Sequence, residues 1–207
     1  MRGNDLVFAA LFAFGVAVLG AYWYVQGRSE PEAAPVPSGG DSLEITVSGQ
    51  ARGVILVRLF EEIAPENTAR LKRLAESGAY DGVVFHRVID GFMAQTGDVR
   101  YGRADGDLSR AGRGGSELPD LPLEASEIAF ERGIVGMART SRPDSANSQF
   151  FIMFASAPNL NGQYTVVGQV VEGLEVLDAI RRGSGPNGAV EDAPDVMERV
   201  RVIPGGG

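Results

Sequence analysis

The chain has 207 residues, 44% of them hydrophobic and 22% charged, which suits one globular domain with a substantial core and an appendage rather than two full domains. A formal charge of -8 and a pI near 4.8, with no basic run, exclude a surface built for nucleic acid or anionic lipid, because phosphate binding needs clustered Lys and Arg. The absence of cysteine excludes disulfides, thiol catalysis and Cys-ligated zinc.

Residues 6 to 25 carry no charge and are rich in Phe, Leu, Val and Ala, the length of one bilayer-spanning helix. Tyr22, Trp23 and Tyr24 close the span where an interfacial aromatic belt belongs. A cleaved signal peptide would have a shorter apolar region followed directly by a small-x-small site, so an uncleaved transmembrane anchor is the favoured reading. Arg2 and Arg28 nearly balance across the span, and the very short leading tail favours a cytoplasmic N-terminus. A single-pass protein of the inner membrane with a periplasmic domain is therefore expected. Residues 26 to 41 contain three prolines and Ser38-Gly39-Gly40 and read as an extended tether. Residues 42 to 204 form the folded domain.

Leu43 to Ser48 and Gly53 to Phe60 read as two strands of a hairpin. Pro65 to Ser77 reads as a helix: Pro65 suits its first turn, Leu71, Leu74 and Ala75 recur at helical spacing, and Gly78 can take the left-handed cap. The stretch from Phe85 to Asp98 is the most informative. As a strand, Phe85 to Val88 would place Phe85 and Arg87 on one face and His86 and Val88 on the other. Gly91 permits a bend, after which Phe92 and Ala94 share one face while Met93 and Gln95 share the opposite one. A charged donor, an amide and an aromatic-plus-thioether wall thus fall within a few residues. Nothing among them is a nucleophile, so such a site suits binding and polarising a neutral amide better than cleaving one. His86 is the chain's single histidine and reads as a buried, hydrogen-bonded structural residue.

Residues 99 to 117 form a Gly-rich polar loop, and the spacing of Asp105 and Asp107 does not match a calcium loop. Ile134 to Ala138, Gln149 to Phe154, Thr165 to Val170 and Met197 to Ile203 read as further strands. Leu174 to Arg182 reads as a second helix with Leu174, Leu177 and Ile180 on one side, arginines in its last turn and Gly183 as its cap. Many strands with two separated helices suggest a mainly β, closed antiparallel barrel.

Phe85 to Asp98 resembles one signature of the cyclophilin-type peptidyl-prolyl cis-trans isomerases, and Gly133 to Arg139 through Asn147 to Ile152 resembles the family's other signature. With Asn67 to Leu74, Gly162 to Val171 and the strand near Val200, the similarity spans residues 43 to 203, about one domain. The resemblance implies an eight-stranded barrel capped at each end by a helix. It assigns the catalytic part to Arg87 with Gln95, a proline pocket to Phe92, Met93, Phe151 and Leu160, a rim to Tyr164, and an edge that pairs with peptide backbone to Ala138 and Arg139. Tyr164 stands where many members carry a histidine, Arg139 replaces a frequent asparagine, and Asn159 stands where many carry a rim tryptophan, so weak cyclosporin binding is expected. The implied activity is isomerisation of X-Pro bonds in unfolded or extended chains by a monomer without cofactor or metal. The alternative is a module that holds proline segments with little turnover.

Overall fold

Leu43, Ile45 and Val47 are buried at every second position of β1 (Ser42–Ser48), and Ile55, Val57 and Leu59 do the same on β2 (Gly53–Leu59). The antiparallel register sets Leu43 opposite Val57 and Ile45 opposite Ile55, so the two apolar rows meet on one face. The computed structural model describes residues 37–205, which lie within one compact unit. The expected anchor at 6–25 and most of the tether lie outside the described residues. Among those described, no helix is long and apolar enough to cross a membrane.

Nine strands form one antiparallel sheet in the order β3-β9-β1-β2-β8-β6-β7-β5-β4. The remaining strands are β3 (Val83–Val84), β4 (Arg87–Ile89), β5 (Met93–Thr96), β6 (Ile134–Met137), β7 (Phe150–Met153), β8 (Val166–Glu172) and β9 (Val196–Ile203). The first and last strands of that order, β3 and β4, are separated in the chain only by Phe85 and His86, so the sheet curls until its two edges approach each other.

The expected eight strands become nine because a short strand, Val83–Val84, precedes the segment read as one strand from Phe85 to Val88, and a break at Phe85 and His86 separates it from β4. Phe85 N–H donates to Asp195 O and His86 O accepts from Val190 N–H, so the backbone at the break bonds to the 190–195 loop instead of a neighbouring strand. The interruption also cancels the expected alternation. Phe85 and Val88 both enter the interior while Arg87 faces outward, so Phe85 and Arg87 do not share a face.

Helix α1 (Pro65–Glu76) starts at Ala64, which has no side-chain cap; Glu124, from a distant loop, accepts the amides of Glu66 (3.1 Å) and Asn67 (3.0 Å) instead. Gly78, at φ +70°, follows its end as the sequence suggested. The second helix, α2 (Leu174–Ala179), is shorter than expected. Ile180 turns extended, the amide of Arg181 is taken by Asp195 Oδ2 at 2.6 Å, and Gly183 N–H bonds to Val88 O, so the arginines and Gly183 lie beyond the helix. Leu177 and Ile180 are nevertheless buried as the stripe predicts.

Two apolar clusters fill the molecule. The larger occupies the interior of the curled sheet; the smaller lies on the outer face of β5, β6 and β7, around Met93, Phe130, Phe151 and Leu160.

Candidate active site

The site is built by strand alternation across β4, β5 and β7. Gly91, at φ +66°, closes a tight turn between β4 and β5, with Phe92 N–H bonded to Ile89 O. The resulting register pairs Arg87 with Gln95 and Val88 with Ala94. Val88 and Ala94 point into the interior, so Arg87, Met93 and Gln95 emerge together on the other face. The pairing of β5 with β7 sets Gln95 opposite Phe151.

These side chains, with Phe92, surround a cavity of about 170 Å³ whose far wall is Leu160, Tyr164 and Arg139. That is room for one ring-sized group, since drug-sized ligands take roughly 300–1,000 Å³. The wall is an aromatic lattice. Phe151 stacks on buried Phe130 with centroids 5.7 Å apart, and Tyr164 meets Phe151 edge-on at 5.8 Å. Gly136 makes this stacking possible, because a Cβ there would lie 2.6 Å from ring atoms of both Phe130 and Phe151.

Arg87 is one of two guanidinium groups around the cavity, with Arg139 on the far wall. Its Nε donates to Asn187 O (3.0 Å), Nη2 to Asn187 Oδ1 (3.1 Å) and Nη1 to Gln95 Oε1 (3.1 Å), with Met93 Sδ 3.8 Å from Nη1. Of the five N–H groups of a guanidinium, one on Nη2 and one facing only a thioether are left for a ligand. Burial lowers the proton affinity of Arg87 and the nearby Tyr164 hydroxyl partly restores it, yet a guanidinium stays charged at any ordinary pH. Gln95 in turn donates to Gln149 Oε1 (2.9 Å), and Gln149 donates to Gly114 O (2.7 Å) and Gly112 O (3.1 Å). The orientation of Arg87 is thereby tied to the 112–114 loop. That loop is pinned from behind by Asp98, whose fully buried carboxylate accepts the amides of Arg100, Tyr101, Gly112 and Gly114.

Residues 42–202 match the family described as "Cyclophilin type peptidyl-prolyl cis-trans isomerase/CLD". The chain belongs to the cyclophilins. It is 54% identical over 149 residues, 70% of this chain and 76% of the relative, to a "Probable peptidyl-prolyl cis-trans isomerase" of Brucella suis. It is 37% identical over 134 residues, 63% of this chain and 77% of the relative, to peptidyl-prolyl cis-trans isomerase-like 3 of Rattus norvegicus. Among solved structures, a Cryptosporidium parvum cyclophilin crystallised in the presence of the dipeptide Ala-Pro superposes with a TM-score of 0.67 at 27% identity, covering 78% of this chain and 98% of that one. The protein is a cyclophilin-type peptidyl-prolyl cis-trans isomerase.

Eight of the nine residues singled out by the cyclophilin resemblance line the one cavity; Ala138 lines an adjoining one, and its amide already donates to Gln149 O at 2.9 Å. Arg139 is held over the Tyr164 ring at 4.3 Å and donates to Gln163 O and Thr140 O, so its side chain frames the cavity. Asn159 is exposed in the Pro158–Leu160 turn at the same edge.

His86 departs from expectation. It is buried, but neither ring nitrogen has a hydrogen-bond partner. Burial pushes its pKa down to about 4, against the pull of the Asp98 charge and of Val84 O and the Gln149 amide, which lie close without bonding geometry. The imidazole is therefore neutral and takes no part in proton transfer at neutral pH.

Three further contributors escaped the sequence reading. Asn187 was concealed in a turn signal, Pro186-Asn187-Gly188; Gln149 stood inside a signature without a role; Phe130 lay outside both signatures. Among the described residues, no group of three His, Asp or Glu side chains could hold a metal ion.

Proposed function

We propose that this cyclophilin accelerates X-Pro rotation by presenting the Arg87 guanidinium to the prolyl nitrogen of an amide whose ring sits in the cavity walled by Phe92, Met93, Phe151 and Leu160. An X-Pro bond resists rotation by roughly 18–20 kcal/mol because its C–N bond has double-bond character. Twisting frees the nitrogen lone pair to accept a hydrogen bond, so a donor placed there binds the twisted state more tightly than either planar isomer. Lowering the barrier by about 7 kcal/mol accelerates the reaction by about five decades. No proton changes hands, which accords with a neutral His86 lying outside the donor set. The observation that carries the reading is a charged donor, fixed by Asn187 and Gln95, on the rim of an apolar cavity sized for one ring. The neighbouring structure obtained with Ala-Pro supports the choice of ligand.

A protease-coupled isomerisation assay on a Pro-containing peptide tests this. Arg87→Ala should lower kcat/KM at least about tenfold with an unchanged melting curve, and Arg87→Lys should also be poor because a point charge lacks the planar fork. Full activity in a folded Arg87→Ala protein removes the mechanism. Binding of the peptide by the native domain without turnover would instead favour the proline-binding module, a reading supported by the exposed, non-aromatic Asn159 at the rim.

The same proposal places the domain at 42–204 on the periplasmic side of the inner membrane as a monomer, held by an anchor at 6–25 and a tether at 26–41, acting on unfolded or extended chains. Its support is the uncharged apolar span and the aromatic residues at its end. Proteolysis of spheroplasts should release the domain, since Pro-rich polar tethers are cut readily. A protected domain would overturn the orientation, and a mature N-terminus near residue 29 would overturn the anchor.

A further inference from the structure

Beside the ring-sized cavity lies a second of about 200 Å³, which shares Gln95 and Arg139 with it, so the two form one continuous groove. Three guanidinium groups, Arg87, Arg113 and Arg139, line this groove and no carboxylate does, in a chain whose net charge is -8. All three lack a counter-ion among the described residues. Arg87 and Arg139 donate only to neutral groups, and the exposed Arg113 side chain makes no hydrogen bond or ion pair there. Nearby carboxylates are already engaged: Asp120 pairs with Arg142 at 3.1 Å, and Asp98 is buried behind the loop on four amides.

Arg113 stands on a fixed base. Its neighbours Gly112 and Gly114 are held by Asp98 through their amides and by Gln149 through their carbonyls. An extended peptide rises about 3.3 Å per residue and turns every second side chain to the same side, so with a proline ring in the first cavity the side chain two residues away faces the second. Resting on the isomerase reading above, we propose that this groove selects proline segments carrying an acidic side chain two residues from the proline, and that Arg113 determines that preference. The three unpaired cations attract such a chain at a distance and Arg113 meets its carboxylate on arrival.

The test uses the domain with peptides of the form Ala-Ala-Pro-Ala-Ala in which glutamate, glutamine or lysine replaces the residue two before or two after proline, with exchange rates read by NMR. At one of these positions kcat/KM for glutamate should exceed that for glutamine by about threefold or more, with lysine lower still, and the ratio should shrink in high salt. Within Arg113→Ala the glutamate-to-glutamine ratio should approach one, and within Arg113→Glu it should invert. Using the ratio inside each variant cancels any general loss of turnover. Turnover of the glutamine peptide with a wild-type ratio of one at both positions overturns acid selection alone, as does a preference that survives both variants. Failure to turn over the glutamine peptide would instead strike the isomerase reading.

Discussion

The interior of the curled sheet and the cluster on its outer face are made by the same strands and do different work. Along β7, Phe150 and Ile152 enter the interior while Phe151 and Met153 join the outer layer; along β5, Ala94 goes in and Met93 out. The interior cluster is closed by side chains on all sides, as a core held by burial must be. The outer layer stops short at its rim, leaving a cavity edged by Arg87, Gln95 and Arg139. Period-two alternation therefore sends one parity of residues into the core and the other to the cavity, and a substitution's effect should follow its parity.

Ile152→Ala, in the interior, should cost about 2–5 kcal/mol of stability through lost burial and a residual cavity, measured by denaturant unfolding. Turnover per folded molecule should stay close to that of the wild type, in contrast to the loss expected for Arg87→Ala. If Ile152→Ala instead abolished turnover in a protein that remained folded, the division of labour between the two faces would be wrong.

His86 sits at the seam between the regions, beside Gly112 and behind Gln149, and links the comparison to pH. Its folded pKa of about 4 lies below the ordinary value near 6.5, so the unfolded chain binds the proton more tightly and stability falls as pH falls through that window. Between pH 7 and 5 the loss should be about 2 kcal/mol. Because the chain has no other histidine, the slope above pH 5 can be assigned to this group. Replacing it by methionine should flatten that part of the curve; a slope that persists would assign the proton elsewhere.

Gly136 sharpens the contrast from the outer side, since its missing Cβ leaves room for the Phe130–Phe151 stack. Gly136→Ala should cost about 1–3 kcal/mol by overpacking and should also raise KM, because the displaced Phe151 ring intrudes on the cavity. Unfolding and steady-state kinetics on one sample measure both. Loss of stability with an unaltered KM would show that the lattice does not shape the pocket.

Much of this arrangement was legible in the chain. Alternating Leu43, Ile45 and Val47, the Pro65 helix start and the two signatures carry local information, and eight of nine chosen site residues meet at one cavity. What escaped depends on contacts distant in sequence. The break at Phe85–His86 exists because the 190–195 loop takes those backbone groups, and the cap of α1 comes from Glu124, 58 positions away from Glu66. No periodicity encodes either. The orphaned nitrogens of His86 were equally invisible, since a sequence shows that a polar residue is in an apolar run but not whether a partner reaches it.

The smallest expected effect lies at the most distant of these contacts. Asn187 reaches Arg87 from 100 positions away, holding Nε through its carbonyl and Nη2 through its side chain, while itself at φ 55° in the left-handed region. Asparagine tolerates that conformation and glycine adopts it freely, so Asn187→Gly preserves the turn and removes only the side-chain acceptor. The carbonyl bond and the bond from Gln95 remain, and the guanidinium becomes less well aimed without being lost. Turnover should fall by about two- to fivefold with an unchanged KM and melting temperature, the pattern of an interaction that matters chiefly in the twisted state. Asn187→Asp should behave differently, since a carboxylate at this point restores the acceptor but pairs with the guanidinium and draws its charge away from the amide. If kcat is unchanged in Asn187→Gly, the side chain shapes only the turn, and the aim of Arg87 rests on Gln95 and the Asn187 carbonyl alone.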